Sequence, residues 1–89
     1  MTSTYSIKDL EQLSGIKAHT IRAWEQRFKL IQPKRTDTNI RFYNDIDLRV
    51  VLNTSVLISN GMKISQISKL APEQIAKEAL DASPYLGDY

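Results

Sequence analysis

Eighty-nine residues, 42% of them hydrophobic, with a net charge of +2, describe one small domain with a thin core. The absence of cysteine excludes a disulfide framework and a thiolate metal site. No apolar run approaches the ~18 residues of a membrane span, and M-T-S-T-Y-S-I-K-D lacks the build of a signal peptide, so a cytoplasmic location with no membrane partner is expected.

Ser6 with Asp9 three residues later is a capping-box signal for a first helix. Ile7, Leu10 and Leu13 recur behind it as one apolar stripe. Ser14-Gly15 ends that helix, Gly15 being free to take positive φ. Ile16 anchors the turn, and a second helix starts at about Lys17 or Ala18 and stops near Lys29. At 100° per residue Ile21, Trp24 and Phe28 share one narrow sector, with Thr20 beside it. Ala18, His19, Arg22 and Gln26 fall on the opposite side. A short helix, a tight glycine turn and a second helix with a basic, hydrogen-bonding face form a helix-turn-helix pattern. The second helix suits the DNA major groove. An ordinary amphipathic helix with a solvated charged face is the alternative.

Leu30-Ile31 still reads apolar, and Gln32-Pro33 breaks the pattern. Lys34-Arg35-Thr36 reads as a short strand, Asp37-Thr38-Asn39 as a turn and Ile40-Arg41-Phe42-Tyr43 as the return strand. Two strands this short need the helices for support. The resulting wing carries Lys34, Arg35 and Arg41; a structural flap with solvated cations is the alternative. Asn44 caps a third helix, with Asp47 at its third position. Its apolar residues cover more than one face, as in a spine buried on several sides. Asn60-Gly61 ends it, and Ile64, Ile67 and Leu70 mark a short fourth helix. Pro72 suits the start of a fifth carrying Ile75, Ala79 and Leu80, and 83–89 reads as a linker or frayed end. The expected fold is mainly α, a winged helix-turn-helix of four to five helices with a two-stranded wing. The domain is placed at 5–71 and a short helix with a tail at 72–89.

The charge is unevenly placed. Between Lys17 and Arg41 seven basic residues stand against Glu25 and Asp37, a surplus of five. From Ile64 onward acids outnumber bases by two. A basic block before an acidic tail is the footprint of a polyanion partner; chance clustering on a solvated surface is the alternative.

In order and spacing the chain resembles the DNA-binding domain of MerR-type transcription regulators over roughly residues 5–70. The residues that carry the resemblance are I-K-D-L at 7–10, G-I at 15–16, T-I-R-A-W-E at 20–25, P-K-R-T at 33–36, R-F-Y at 41–43, D-I-D-L at 45–48 and G-M-K-I-S-Q-I at 61–67. The resemblance implies that Arg22 and its neighbours meet the major groove, that Arg35 and Arg41 brace the wing on the backbone, and that the Gly61–Lys63 connection approaches phosphates as a second wing. Arginine forks bidentately onto phosphate or a guanine edge, and Lys63 stands at a helix start. The expected DNA-contact set is Lys17, Ala18, His19, Thr20, Arg22, Gln26, Lys34, Arg35, Arg41 and Lys63. The chain departs from the family's pattern in several places. Ala23-Trp24 replaces a common tyrosine pair and is similar to the subgroup with cobalamin-dependent, light-sensing repressors. Lys17 stands where a serine-like cap is common, and Asn39-Ile40 replaces a glycine-aromatic pair in the wing.

Family regulators continue into a dimerisation helix or a sensor. Neither is evident here, so the chain reads as a fragment or an unusually short member. It is expected to be monomeric without DNA and to bind one half-site weakly, while the full-length protein is a homo-oligomer. Operator DNA, and through it RNA polymerase, are the expected partners. No cofactor is expected in this chain; cobalamin is the first candidate for a sensor outside it. An enzyme is not expected: His19 is the only histidine, and there are no paired carboxylates in apolar surroundings and no phosphate loop. Trp24 reads as core rather than a DNA-stacking ring. Glu25 either orients a nearby arginine or is solvated. Arg27 either bridges to an acid or is solvated, and Tyr43 packs under the wing. A small DNA-architectural factor and a protein-interaction module remain the other readings.

Overall fold

The computed structural model describes residues 4–82. In chain order it runs α1 (Ile7–Ser14), α2 (Ala18–Phe28), β1 (Lys34–Arg35), β2 (Arg41–Phe42), α3 (Asp45–Ser59), α4 (Ile64–Ile67) and α5 (Pro72–Ala82). The expected linker at 83–89 lies outside the described residues.

Local capping sets most of these boundaries. Ser6 Oγ accepts the Asp9 N–H and Asp9 Oδ2 accepts the Ser6 N–H, each at 3.0 Å, which opens α1. Gly15, at φ 78°, closes it. Within α1 only Leu10 is fully buried, while Leu13 is 56% exposed. Three-residue steps drift ~60° round a helix each time, so the expected stripe has left the core by its third member. Lys17 gives α2 no side-chain cap; instead Glu11 Oε2, from α1, accepts the Ala18 N–H at 3.0 Å. This bond satisfies an orphan donor and sets a negative charge at the positive end of α2.

The wing strands pair antiparallel, Lys34 with Phe42 and Arg35 with Arg41. Asn39 takes the left-handed conformation at φ 65°, so the reversal needs no glycine. Beyond β2 the chain remains extended, and Tyr43 exchanges both backbone hydrogen bonds with Tyr5, each 2.8 Å. The wing is thereby tied to the chain entering α1. Tyr5 also donates its hydroxyl to Asp45 Oδ1 at the start of α3.

Asn44 and Asp47 form the second capping box. Helix α3 is the spine. It packs against α1, α4 and α5 and buries Val50, Val51, Thr54 and Leu57. Leu10 and Ile21 from the first two helices join these, with Ile31, Tyr43, Ile67, Ile75 and Ala79, in one core. Gly61, at φ 96°, reverses the chain into the single turn of α4. Helix α5 lies on α3 through Ile75 and Ala79, whereas Leu80, expected with them, faces out.

Candidate nucleic-acid interface

On α2 the two faces separate as amphipathic spacing requires. Ile21 and Trp24 are buried, the latter 7% exposed, and Trp24 is core. Lys17, His19, Arg22 and Gln26 are exposed, and Ala18 and Thr20 are half-buried beside them. Small residues in the first turn let the helix approach a groove closely, with Arg22 and Gln26 one and two turns further on. Phe28 is only half-buried, and the Arg27 guanidinium lies over its ring, 5.7 Å from the centroid. Arg27 is therefore engaged on its own helix rather than bridging to another.

The three wing cations differ in circumstance. Lys34 Nζ lies 2.9 Å from Asp47 Oδ2, and among the described residues this is the one ion pair. It fastens β1 to the first turn of α3. Arg35 Nη1 donates to the Asn39 side chain at 3.1 Å and to its carbonyl at 3.3 Å, bracing the turn. Arg41 is exposed and directly opposite Arg35 across the ladder. Like charges facing each other across a strand pair destabilise it until an anion comes between them. Lys63, the remaining expected contact, is exposed at the start of α4, and its backbone N–H is taken by Gln66 Oε1 at 3.1 Å.

A hydrogen bond joins the end of the wing to α2. The hydroxyl of Tyr43, a fully buried residue, donates to Glu25 Oε1 at 2.8 Å. Burial raises the Glu25 carboxyl above its ordinary range, against the lowering effects of the Tyr43 hydrogen bond, Arg41 and Arg22; Asp47 adds a smaller upward push. Burial and the facing carboxylate push the Tyr43 hydroxyl far up. Spacing placed Tyr43 under the wing, but nothing in the periodicity links it to a residue eighteen positions away. The cap from Glu11 to α2 left a fainter signal, an acidic side chain in the last turn before the glycine.

An exposed cationic helix face, a basic hairpin beside it and a supporting helical spine define a winged helix-turn-helix DNA-binding domain. A family model described as MerR HTH family regulatory protein matches residues 5–74, and the chain belongs to that family. It is 37% identical over 79 residues to the HTH-type transcriptional repressor CarH of Myxococcus xanthus, covering 89% of this chain and 26% of that protein. It is 35% identical over 66 residues to the HTH-type transcriptional regulator MlrA of Escherichia coli, covering 74% of this chain and 27% of that one. An uncharacterized HTH-type transcriptional regulator of Bacillus subtilis, YyaN, is 27% identical over 78 residues, covering 88% and 56%. The chain thus spans about a quarter of the length of the first two relatives.

Two clefts lie away from the cationic face. One, of about 240 Å³, is lined by Ile16, Trp24, Ser55, Ile58 and Ser59. The other, of about 220 Å³, lies between α3 and α5 around Ile46 and Ala76. Both are below the ~300–1,000 Å³ that holds a drug-sized ligand. Among the described residues no helix is long and apolar enough to cross a membrane.

Proposed function

We propose that this domain reads double-stranded operator DNA by setting the N-terminal half of α2 into the major groove, with the wing on the flanking phosphate backbone. His19, Arg22 and Gln26 face base edges, with Ala18 and Thr20 allowing the close approach. Lys17, Arg35, Arg41 and Lys63 meet phosphates, and Lys34 holds the wing in place. The observation that carries this reading is the unneutralised charge of the block. Among the described residues Lys34 alone has a carboxylate partner within ion-pair distance, and Lys17, Arg22, Arg35, Arg41 and Lys63 are exposed. A cytoplasmic regulator acting on RNA polymerase through its operator follows from that reading. The chain itself is monomeric, and two copies occupy adjacent half-sites of a two-fold operator. Dimerisation and effector sensing belong to other parts of the regulator, with cobalamin the first effector to test there. Titrating the 89-residue chain into duplexes selected from a random library, at several salt concentrations, tests the reading. Four phosphate contacts give a slope of log K against log salt of about −3.6. A flat response refutes it.

A further inference from the structure

A carboxylate in the midst of a DNA-contacting face is costly, because it repels the phosphates that the neighbouring cations attract. Glu25 is such a group, and it is fixed in place. It stands three residues after Arg22, so the two side chains are neighbours on α2. Its Oε1 accepts the Tyr43 hydroxyl at 2.8 Å. Arg41 precedes Tyr43 by two residues in extended chain and so leaves the backbone on the same side as the tyrosine. The carboxylate is therefore within electrostatic reach of both the helix arginine and the wing arginine, and its electrostatic neighbours are Tyr43, Arg41, Arg22 and the more weakly felt Asp47. Among the described residues its second oxygen, Oε2, accepts no hydrogen bond, and neither arginine is in an ion pair.

Building on the DNA-binding reading, we infer that Glu25 is a positioning and specificity-determining residue. Pinned by Tyr43, its carboxylate directs the Arg22 and Arg41 guanidiniums and repels phosphates from a misdocked duplex. Both arginines are drawn toward one fixed acceptor, which orients the forks before DNA arrives and limits the directions each can take. A duplex docked out of register brings phosphate near Glu25 without offering Arg22 a base edge in exchange. A docked cognate site supplies that exchange. Discrimination built from such a repulsive element weakens wrong complexes more than right ones.

The test uses the 89-residue chain, a duplex it selects from a random library and a scrambled duplex of the same composition, with affinities read by fluorescence anisotropy. E25Q keeps an acceptor for the Tyr43 hydroxyl and removes the charge. It should tighten binding to the scrambled duplex roughly three- to tenfold, with a smaller gain on the selected one, so that the ratio of the two affinities falls about two- to fivefold. Y43F keeps the charge but frees the carboxylate; it should lower the ratio in the same direction by less, and it decides the matter if E25Q does not fold. A merely structural lesion weakens both duplexes together and cannot produce tighter non-cognate binding. An unchanged ratio in the folded variants, or an equal loss on both duplexes, overturns the inference. A parent chain that selects no duplex from the library overturns the DNA-binding reading itself.

Discussion

Replacing Lys34 by methionine removes one cation and keeps most of the aliphatic stem, and its consequences separate two roles for that residue. The basic block read from sequence includes Lys34 among the phosphate contacts, whereas its ammonium lies 2.9 Å from Asp47 Oδ2. The Asp47 side chain is 9% exposed and that of Lys34 41%. Breaking a fully buried pair costs about 3–5 kcal/mol and an exposed one about 0–1. With one partner buried and the other half in water, the expected loss is about 1.5 kcal/mol. Asp47 Oδ2 keeps the Asn44 N–H at 3.0 Å, so the carboxylate is not wholly stranded. For a domain of this size each kcal/mol moves the melting temperature by about 4–8 °C, so K34M should melt about 6–12 °C below the parent in a calorimetric or circular-dichroism scan. The difference should shrink in high salt, which screens the exposed half of the pair. The salt slope of DNA binding should not change. An unaltered melting temperature together with a slope lowered by about 0.9 would refute this reasoning and return Lys34 to the phosphate contacts.

Trp24→Ala should destabilise the domain by about 3 kcal/mol, the low end for a large buried aromatic because one edge of the indole already lines a cleft. A mutant with the parent's urea midpoint but no DNA binding would instead place the ring against nucleic acid. Thr54→Val should stabilise the domain by about 1 kcal/mol in the same urea assay, since the Thr54 hydroxyl is buried without a hydrogen-bond partner among the described residues. The raised Glu25 carboxyl predicts a pH effect of definite sign. Above its ordinary value of 4.5 and up to the raised one, the folded chain holds a proton that the unfolded chain has released. This contribution to stability is complete at low pH and is lost as pH rises through that interval; the difference between the parent and E25Q in melting scans against pH isolates it. Arg22→Ala should weaken binding to a selected duplex by about 1–3 kcal/mol and relax its sequence preference, while Arg41→Ala should weaken all duplexes about equally; equal behaviour of both mutants and the parent in anisotropy titrations would show that neither touches DNA.

Features encoded within one turn of chain were legible in the sequence. The Ser6–Asp9 and Asn44–Asp47 boxes, the glycine stops at Gly15 and Gly61, and the split faces of α2 each follow from residue types three or four positions apart. The bonds that assemble the interface are not local. Ala18 is capped by a residue seven positions away, Lys34 meets Asp47 across thirteen, Glu25 meets Tyr43 across eighteen and Tyr5 meets Asp45 across forty. Periodicity carries no information about such pairs, since they depend on how the wing is laid against the helices. Leu13 and Leu80 show the same limit for packing. Both continue an apolar pattern and both face outward, because the surface that would cover them belongs to no neighbouring element among the described residues. The contact set read from sequence placed the helix cations on the exposed face, but it counted Lys34 without its partner.

The account's central claim is tested most directly by nuclear magnetic resonance of the isotopically labelled chain with a selected duplex. Amide shift changes should concentrate at residues 17–26, along the wing from Lys34 to Arg41, and at Lys63. Intermolecular contacts should join the Ala18 and Thr20 methyl groups to major-groove protons such as cytosine H5 or the thymine methyl. Shift changes centred instead on the α3–α5 surface around Ile46, Ala76 and Leu80, with α2 unperturbed, would contradict it.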